Sequence, residues 1–300
     1  MESLKKAAQA VLETAEGPQA ERVRFLEGLW EVQRAVPVAD TGYEPADTTS
    51  AEEALVSGQT LFMLRPPTID EAAYADMVRR IADYIAETPG LPEEQKSALA
   101  TTDFAPAVAE HFEHAATRPA EFIGVVTESM AGEGADLSPA TIAYVLQAAL
   151  VPFLSGPAGA ATKALGKVQW QVWDSGDCPV CGSPAAMGRM GESTPTQGAD
   201  RTLWCSTCDS KWGFDRLRCA RCGSRHADGL RYTFTDDDPA HRAHVCDDCG
   251  SYLKVVFAGE LGRPLAFPVE DAVSAELDAA VRAEGYLPAP GAADEEPQES

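Results

Sequence analysis

The sequence predicts a multi-domain chain: an N-terminal all-α domain, then two small β modules in tandem, each built on four cysteines. Four observations carry this. All eight cysteines of the 300-residue chain lie between Cys178 and Cys249. They form four C-x2-C pairs, Cys178/Cys181, Cys205/Cys208, Cys219/Cys222 and Cys246/Cys249. The first two pairs are separated by 23 residues and so are the last two, so the second half repeats the first at an offset of 41. Finally, nothing before Val168 reads as a strand, whereas beyond it short β-branched or aromatic runs alternate with turn residues. The predicted divisions are 1–167 (helical domain), 168–217 (first four-cysteine module), 218–258 (second module) and 259–300 (C-terminal helix and acidic tail).

Residues 1–35 are rich in Ala, Glu and Leu, and Val23, Leu26, Leu29, Trp30 and Val32 or Gln33 recur at helical spacing, which marks a buried face. A loop of Pro, Gly, Thr and Asp follows from Val36 to Thr49, with short helical material near Ala51 to Val56. Leu61 to Pro67 (LFMLRPP) reads as an apolar extended link ahead of its prolines. Thr68 is placed to cap a long helix, with Glu71 at the capping-box position, ending at Pro89 and Gly90. Further helices are predicted over Pro92–Ala100, Phe104–Thr117 and Pro119–Met130. His111 and His114, three apart, read as solvated or core-edge histidines. Leu137 to Thr162 carries no charge, but Pro152, Gly156, Pro157 and Gly159 interrupt it. It reads as a core helix from Pro139 to Leu154, then a turn and a short Ala-rich helix, rather than a membrane span.

Strands are predicted over Trp170–Trp173, Thr202–Trp204, Lys211–Leu217, Arg231–Phe234, Ala243–Val245 and Tyr252–Phe257, with Trp204, Trp212, Phe214, Tyr232, Phe234 and Tyr252 packing beside the cysteines. Val269 to Gly285 is an amphipathic helix, and Ala289 to Ser300 is an acidic tail with no means of burying a core.

A C-x2-C pair closes a tight turn that brings two sulfurs onto one ion. The residue after each pair is Gly182, Asp209, Gly223 or Gly250, which are the types that tolerate positive φ. Two such knuckles supply the four thiolates of a tetrahedral zinc site or of a single rubredoxin-like iron. The expected cofactors are therefore two metal ions, iron or zinc, each bound by four cysteine thiolates. Four pairs at repeated spacing are more economical as metal sites than as disulfides or a thioredoxin-like redox motif, and the N-terminus lacks the apolar stretch of a secretory signal. Within the metal reading, the repeat favours ligation by Cys178/Cys181/Cys205/Cys208 and by Cys219/Cys222/Cys246/Cys249 over an interleaved arrangement.

The net charge is −23, and it is uneven. Met1–Asp177 holds 12 basic and 27 acidic residues, Cys178–Lys254 holds 10 of each, and Val255–Ser300 holds 2 and 10. A nucleic-acid-binding zinc ribbon needs a basic footprint, and only Arg216, Arg218, Arg221 and Arg225 form a local one. No nucleophile elbow, Gly-rich phosphate loop or H-E-x-x-H is present, which leaves no catalytic residues to name; an iron centre doing redox work on a partner stays open as a second reading.

The run CPVCGSP, then LWCSTCDSKW, RCARCGS and HVCDDCGSYLKV, and a last helix ending in EGYLP, resembles the formate dehydrogenase accessory (maturation) protein family of FdhE type. The likeness covers about residues 60–287, and VLQAALVPFL (Val145–Leu154) also fits. Asp209 departs from the family's usual small residue there. The resemblance implies a helical domain before two rubredoxin-like modules and a cytoplasmic protein that is not itself an enzyme. It implies a chaperone-like role in maturing respiratory formate dehydrogenase, whose catalytic subunit is the expected partner. Neither nucleic acid nor membrane insertion is expected, and a homodimer is left open. Arg216, Arg218, Tyr252 and Lys254 are the expected partner-binding residues on a metal-stabilised docking surface.

Overall fold

In the computed structural model, the residues described are 2–36, 42–131, 137–165, 172–192, 200–235 and 237–288. Nine α-helices come first among them: α1 (Glu2–Leu12), α2 (Gly17–Ala35), α3 (Thr48–Val56), α4 (Leu61–Leu64), α5 (Glu71–Glu87), α6 (Glu93–Thr101), α7 (Ala105–His111), α8 (Pro119–Met130) and α9 (Pro139–Leu165). Six strands follow: β1 (Met187–Met190), β2 (Arg201–Trp204), β3 (Lys211–Phe214), β4 (Leu230–Thr235), β5 (Asp238–Cys246) and β6 (Ser251–Phe257). Three helices close the chain, α10 (Ala258–Leu261), α11 (Phe267–Val273) and α12 (Ala275–Ala283). The predicted fold class is what is observed, a helical region ahead of a strand-rich region that holds two four-cysteine clusters.

The helical core gathers around α5 and α9. Tyr74, Met77 and Ile81 of α5 meet Ile142, Leu146, Leu150 and Leu154 of α9 and Phe122 of α8, all close to fully buried. Tyr74 is accommodated there because its hydroxyl donates to the Leu146 carbonyl (3.0 Å). By length and composition α9 could cross a bilayer, but 56% of its most apolar window is buried inside the fold.

Four local expectations are corrected. Leu61–Leu64 is a helical turn, not an extended link: the Thr60 hydroxyl accepts from Met63 N (3.3 Å), and the N–H groups of Leu61 and Phe62 donate to the carbonyls of Pro179 and Val180 in the first knuckle. Asp70, not Thr68, caps α5, its carboxylate accepting from Ala73 N (2.7 Å). Helix α9 runs unbroken through Pro152 and Pro157. Pro152 has no N–H for the Ala148 carbonyl, and Gln33 Nε2 from α2 donates to that carbonyl instead (2.8 Å). The predicted helix Val269–Gly285 is two helices, because the chain turns at Ser274 (φ −99°, ψ 22°).

All six strands form one sheet in the order β3-β2-β1-β6-β5-β4. Every pairing is antiparallel except β1 with β6, which is parallel and joins the two modules edge to edge. Strand β1 was not anticipated, and Val172–Trp173 is not a strand; Trp170, Gln171 and residues 289–300 of the expected tail lie outside the described residues. The C-terminal helices bind the parts together. Val269 and Val273 of α11 pack against Val11, Val23 and Trp30 of α1 and α2, while Leu277 and Val281 of α12 cover Ala243, Val245 and Tyr252 of the sheet. Arg22 of α2 forms a two-pronged ion pair with Glu276 of α12.

Candidate metal centres

Each C-x2-C turn is built by the same local bonds. The N–H of the residue after the pair donates to the carbonyl of the first cysteine: Gly182 to Cys178 (2.8 Å), Asp209 to Cys205 (3.0 Å), Gly223 to Cys219 (3.1 Å) and Gly250 to Cys246 (2.9 Å). Closing that ring puts the donor residue in the left-handed region, at φ 77°, 60°, 75° and 65°. Asp209 is the one non-glycine there among the described residues. Its carboxylate accepts from Trp204 Nε1 (2.7 Å), a bond glycine could not make.

The sheet then brings the knuckles together in sequential pairs. The sulfurs of Cys178, Cys181, Cys205 and Cys208 all lie within 4.8 Å of one another, and so do those of Cys219, Cys222, Cys246 and Cys249. Across the first cluster Cys178–Cys208 and Cys181–Cys205 are 3.6 Å apart; across the second, Cys219–Cys249 and Cys222–Cys246 are 3.8 Å apart. Four sulfurs at about 2.3 Å from one ion stand about 3.8 Å apart, so both clusters fit a tetrahedral metal and neither approaches a disulfide. Each group of four can hold one metal ion.

The protonation chemistry of the thiols supports this. In the first cluster burial pushes Cys178 and Cys208 well up, while Cys181, which burial alone would also raise, is drawn well below the usual thiol range by hydrogen bonds from its neighbours. Four thiolates cannot share that volume as free charges, and a bound cation supplies what lets all four ionise. In the second cluster burial raises Cys222 and Cys246. Burial also acts to raise Cys249, but Ser251, whose hydroxyl lies 3.0 Å from the sulfur, brings it to about 7.

The two centres differ in surroundings. The first is closed: its sulfurs join the main apolar core with Phe62, Leu203 and Trp212. In the second, Cys219 and Cys246 are buried and Cys222 and Cys249 are exposed. Of the aromatic residues expected beside the metals, Trp212 packs there. Trp204 instead stacks on Phe267 of α11 (5.5 Å), Tyr232 on His244 (4.8 Å), and Phe234 is largely exposed.

The four residues expected to meet a partner are placed unequally. Arg216 is exposed, next to Leu217, which is 65% exposed. Arg218 is turned inward, its Nε donating to the Gly223 carbonyl (3.2 Å) and its Nη1 pairing with Asp174. Tyr252 and Lys254 are nearly buried, the tyrosine hydroxyl donating to Asp278 (2.7 Å) and the ammonium held by Asp271 and Asp278 (2.8 and 2.6 Å). Both nonetheless line a cleft of about 430 Å³ between α8, α9, the sheet and α12, with Gln147, Arg221 and Arg282. Sequence reasoning missed Arg201, a strand arginine buried to 2% exposure, since nothing in RTLW marks its side chain as internal.

No family model matches the chain. Over 110 residues it is 37% identical to curated proteins named Protein FdhE, among them those of Escherichia coli O9:H4 (strain HS), Escherichia coli O1:K1 / APEC and Shigella boydii serotype 18. The match takes in 36% of this chain and 34% of each relative, so it spans about a third of their length. The crystal structure of the FdhE protein from Pseudomonas aeruginosa aligns with 96% of this chain and 90% of its own, at a TM-score of 0.54 and 22% identity, which shows a shared fold. Sequence and fold together bear out the resemblance to FdhE-type proteins read from the knuckles and their flanks, in a chain whose strand-rich part holds two four-cysteine clusters.

Proposed function

We propose that this chain is a cytoplasmic accessory protein for the maturation of respiratory formate dehydrogenase, binding the enzyme's catalytic subunit and catalysing no formate chemistry itself. The observation that carries this is the 37% identity to Protein FdhE, joined to two thiolate centres of tetrahedral size. Iron or zinc in each centre would hold its knuckles in place, so the surface between them is rigid before a partner arrives and loses little freedom on docking. The docking face runs from Arg216 and Leu217, on the exposed link before Cys219, with Arg218 behind them, to the cleft lined by Tyr252 and Lys254.

A nucleic-acid partner is disfavoured by the fate of the basic cluster. Arg225 and Arg218 are paired with Asp215 and Asp174 and Arg221 is largely buried, so among the described residues Arg216 is the exposed member of the cluster that has no ion pair. Affinity capture of the full chain from its own cytoplasm without oxygen, with metal analysis of the same sample, tests the reading. Recovery of a formate dehydrogenase catalytic subunit with metal-loaded protein is expected; metal-loaded protein that brings down none contradicts it.

A further inference from the structure

Among the described residues, four side-chain nitrogens lie buried without a hydrogen-bond partner where the two modules meet: Nε and Nη2 of Arg201, and Nε and Nη1 of Arg221. Both side chains reach across the seam. Arg201, on β2 of the first module, donates its Nη1 to the carbonyl of Arg218, the residue before Cys219 (3.1 Å). Arg221, between Cys219 and Cys222, donates its Nη2 to the carbonyl of Ala185 in the first module (2.8 Å) and its backbone N–H to the Cys219 sulfur (3.3 Å). The modules are in close contact here: a Cβ on Gly176 would sit 1.8 Å from the Ala220 carbonyl oxygen.

Among the described residues neither arginine touches a carboxylate: Asp177 acts on Arg221 and Asp215 on Arg201 from beyond ion-pair distance, and the ring of Phe214 lies 5.7 Å from the Arg201 guanidinium. An internal guanidinium with no anion in contact is unfavourable, so a fold that keeps two such groups side by side gains from any further negative charge close by. The second centre supplies one. Four thiolates around a divalent ion carry a net charge of −2, and around ferric iron −1, and Cys219 lies within electrostatic reach of both guanidiniums.

We propose that Arg201 and Arg221 are the counter-cations of the Cys219/Cys222/Cys246/Cys249 centre, positioning residues that strengthen its hold on metal and favour the more negative, divalent complex. The proposal concerns this chain's own metal and does not depend on the partner. Removing either charge weakens metal binding at the second centre and, with iron bound, lowers its reduction potential, because the reduced complex carries the additional negative charge.

The test uses the full chain loaded with cobalt, whose thiolate absorption reports occupancy while a chelator competes. Arg201→Gln and Arg221→Gln are expected to lose about 10- to 100-fold in affinity at the second centre and to leave the first unchanged. Arg201→Lys and Arg221→Lys, which keep the charge, should stay close to wild type. Equal loss at both centres in Gln and Lys variants alike would show a packing role and overturn the assignment, as would Gln variants with unchanged affinity and potential. Nuclear magnetic resonance of the wild-type chain needs no variant to fold: the Nε–H signals of both arginines must shift when cadmium fills the second centre after the first, and signals that stay in place contradict the proposal.

Discussion

Asp209 holds a backbone conformation that glycine holds in the other three knuckles, and compensates through its side chain. Its φ of 60° costs a residue with a Cβ about 1–2 kcal/mol, while the bond from Trp204 Nε1 returns about 1 kcal/mol. Asp209→Gly should therefore change the unfolding free energy of the metal-loaded chain by less than about 1 kcal/mol, and Asp209→Val should cost at least about 2 kcal/mol, both read by denaturant titration. A second residue-scale prediction concerns His241, whose Nδ1 lies 2.8 Å from Asp238 and whose Nε2 lies 3.1 Å from Glu270, itself clasped by both Nη atoms of Arg263 (2.7 Å). Burial would lower the imidazole's pKa, but the two carboxylates outweigh it and the net shift is upward from 6.5. The same bonds overcome burial at Asp238 and Glu270 and pull them below 3.8 and 4.5. The histidine's contribution is complete below 6.5 and is lost as pH rises through its folded value; those of the carboxylates are present above their ordinary values and are lost as pH falls. The stability gap between wild type and His241→Gln should thus be wide near about pH 6 and narrow by about pH 8.5. The positive-φ positions were legible in the sequence because a C-x2-C turn is a local demand. The His241 cluster was not, since Glu270 is 29 residues away on a different element.

Helix α9 shows how an element can outlast its own breakers. Pro152 leaves the Ala148 carbonyl without its helical donor, and Gln33 makes up the loss from another helix. Gln33→Ala should orphan that carbonyl and cost about 1–3 kcal/mol. In the Pro152→Ala background, where the helix can provide its own N–H, the same change should cost clearly less, and thermal unfolding of the four proteins in the cycle measures the coupling. Distance along the chain again explains what the sequence withheld: Gln33 is 115 residues from Ala148, so the prolines alone pointed to a break. Leu61–Leu64 is similar, a four-residue helix whose first two N–H groups donate to the carbonyls of Pro179 and Val180. Strand β1 (MGRM) has no β-branched residue to announce it and exists because β2 and β6 offer edges on both sides. Helices starting at Pro119 and Pro139, and the strands around Trp204, Trp212 and Val255, were readable because proline at a first turn and β-branched or aromatic runs act locally.

At the scale of the molecule, the first centre belongs to the helical core while the second faces outward, and this asymmetry predicts the order of metal loss. With Cys222 and Cys249 exposed, a chelator should strip the second centre first, and thiol alkylation followed by mass spectrometry should label those two cysteines before any of Cys178, Cys181, Cys205 or Cys208. The proposed division of the chain at 167, 217 and 258 meets a shared core, since Cys178, Cys205 and Trp212 pack in the same cluster as Phe62 and Tyr74. Residues 1–165 produced alone with chelator should therefore show helical circular dichroism but melt well below the full chain, having lost both that contact and the cover of α11 on α1 and α2. A fold in which bound metal would fix one end of a helical body suits the accessory role proposed above. Deleting the gene for this chain in its own organism and assaying respiratory formate oxidation tests that account most directly. The expected result is loss of activity, restored by the wild-type gene and not by one carrying Cys178→Ser and Cys219→Ser; unchanged formate oxidation with normal export of the enzyme would contradict it.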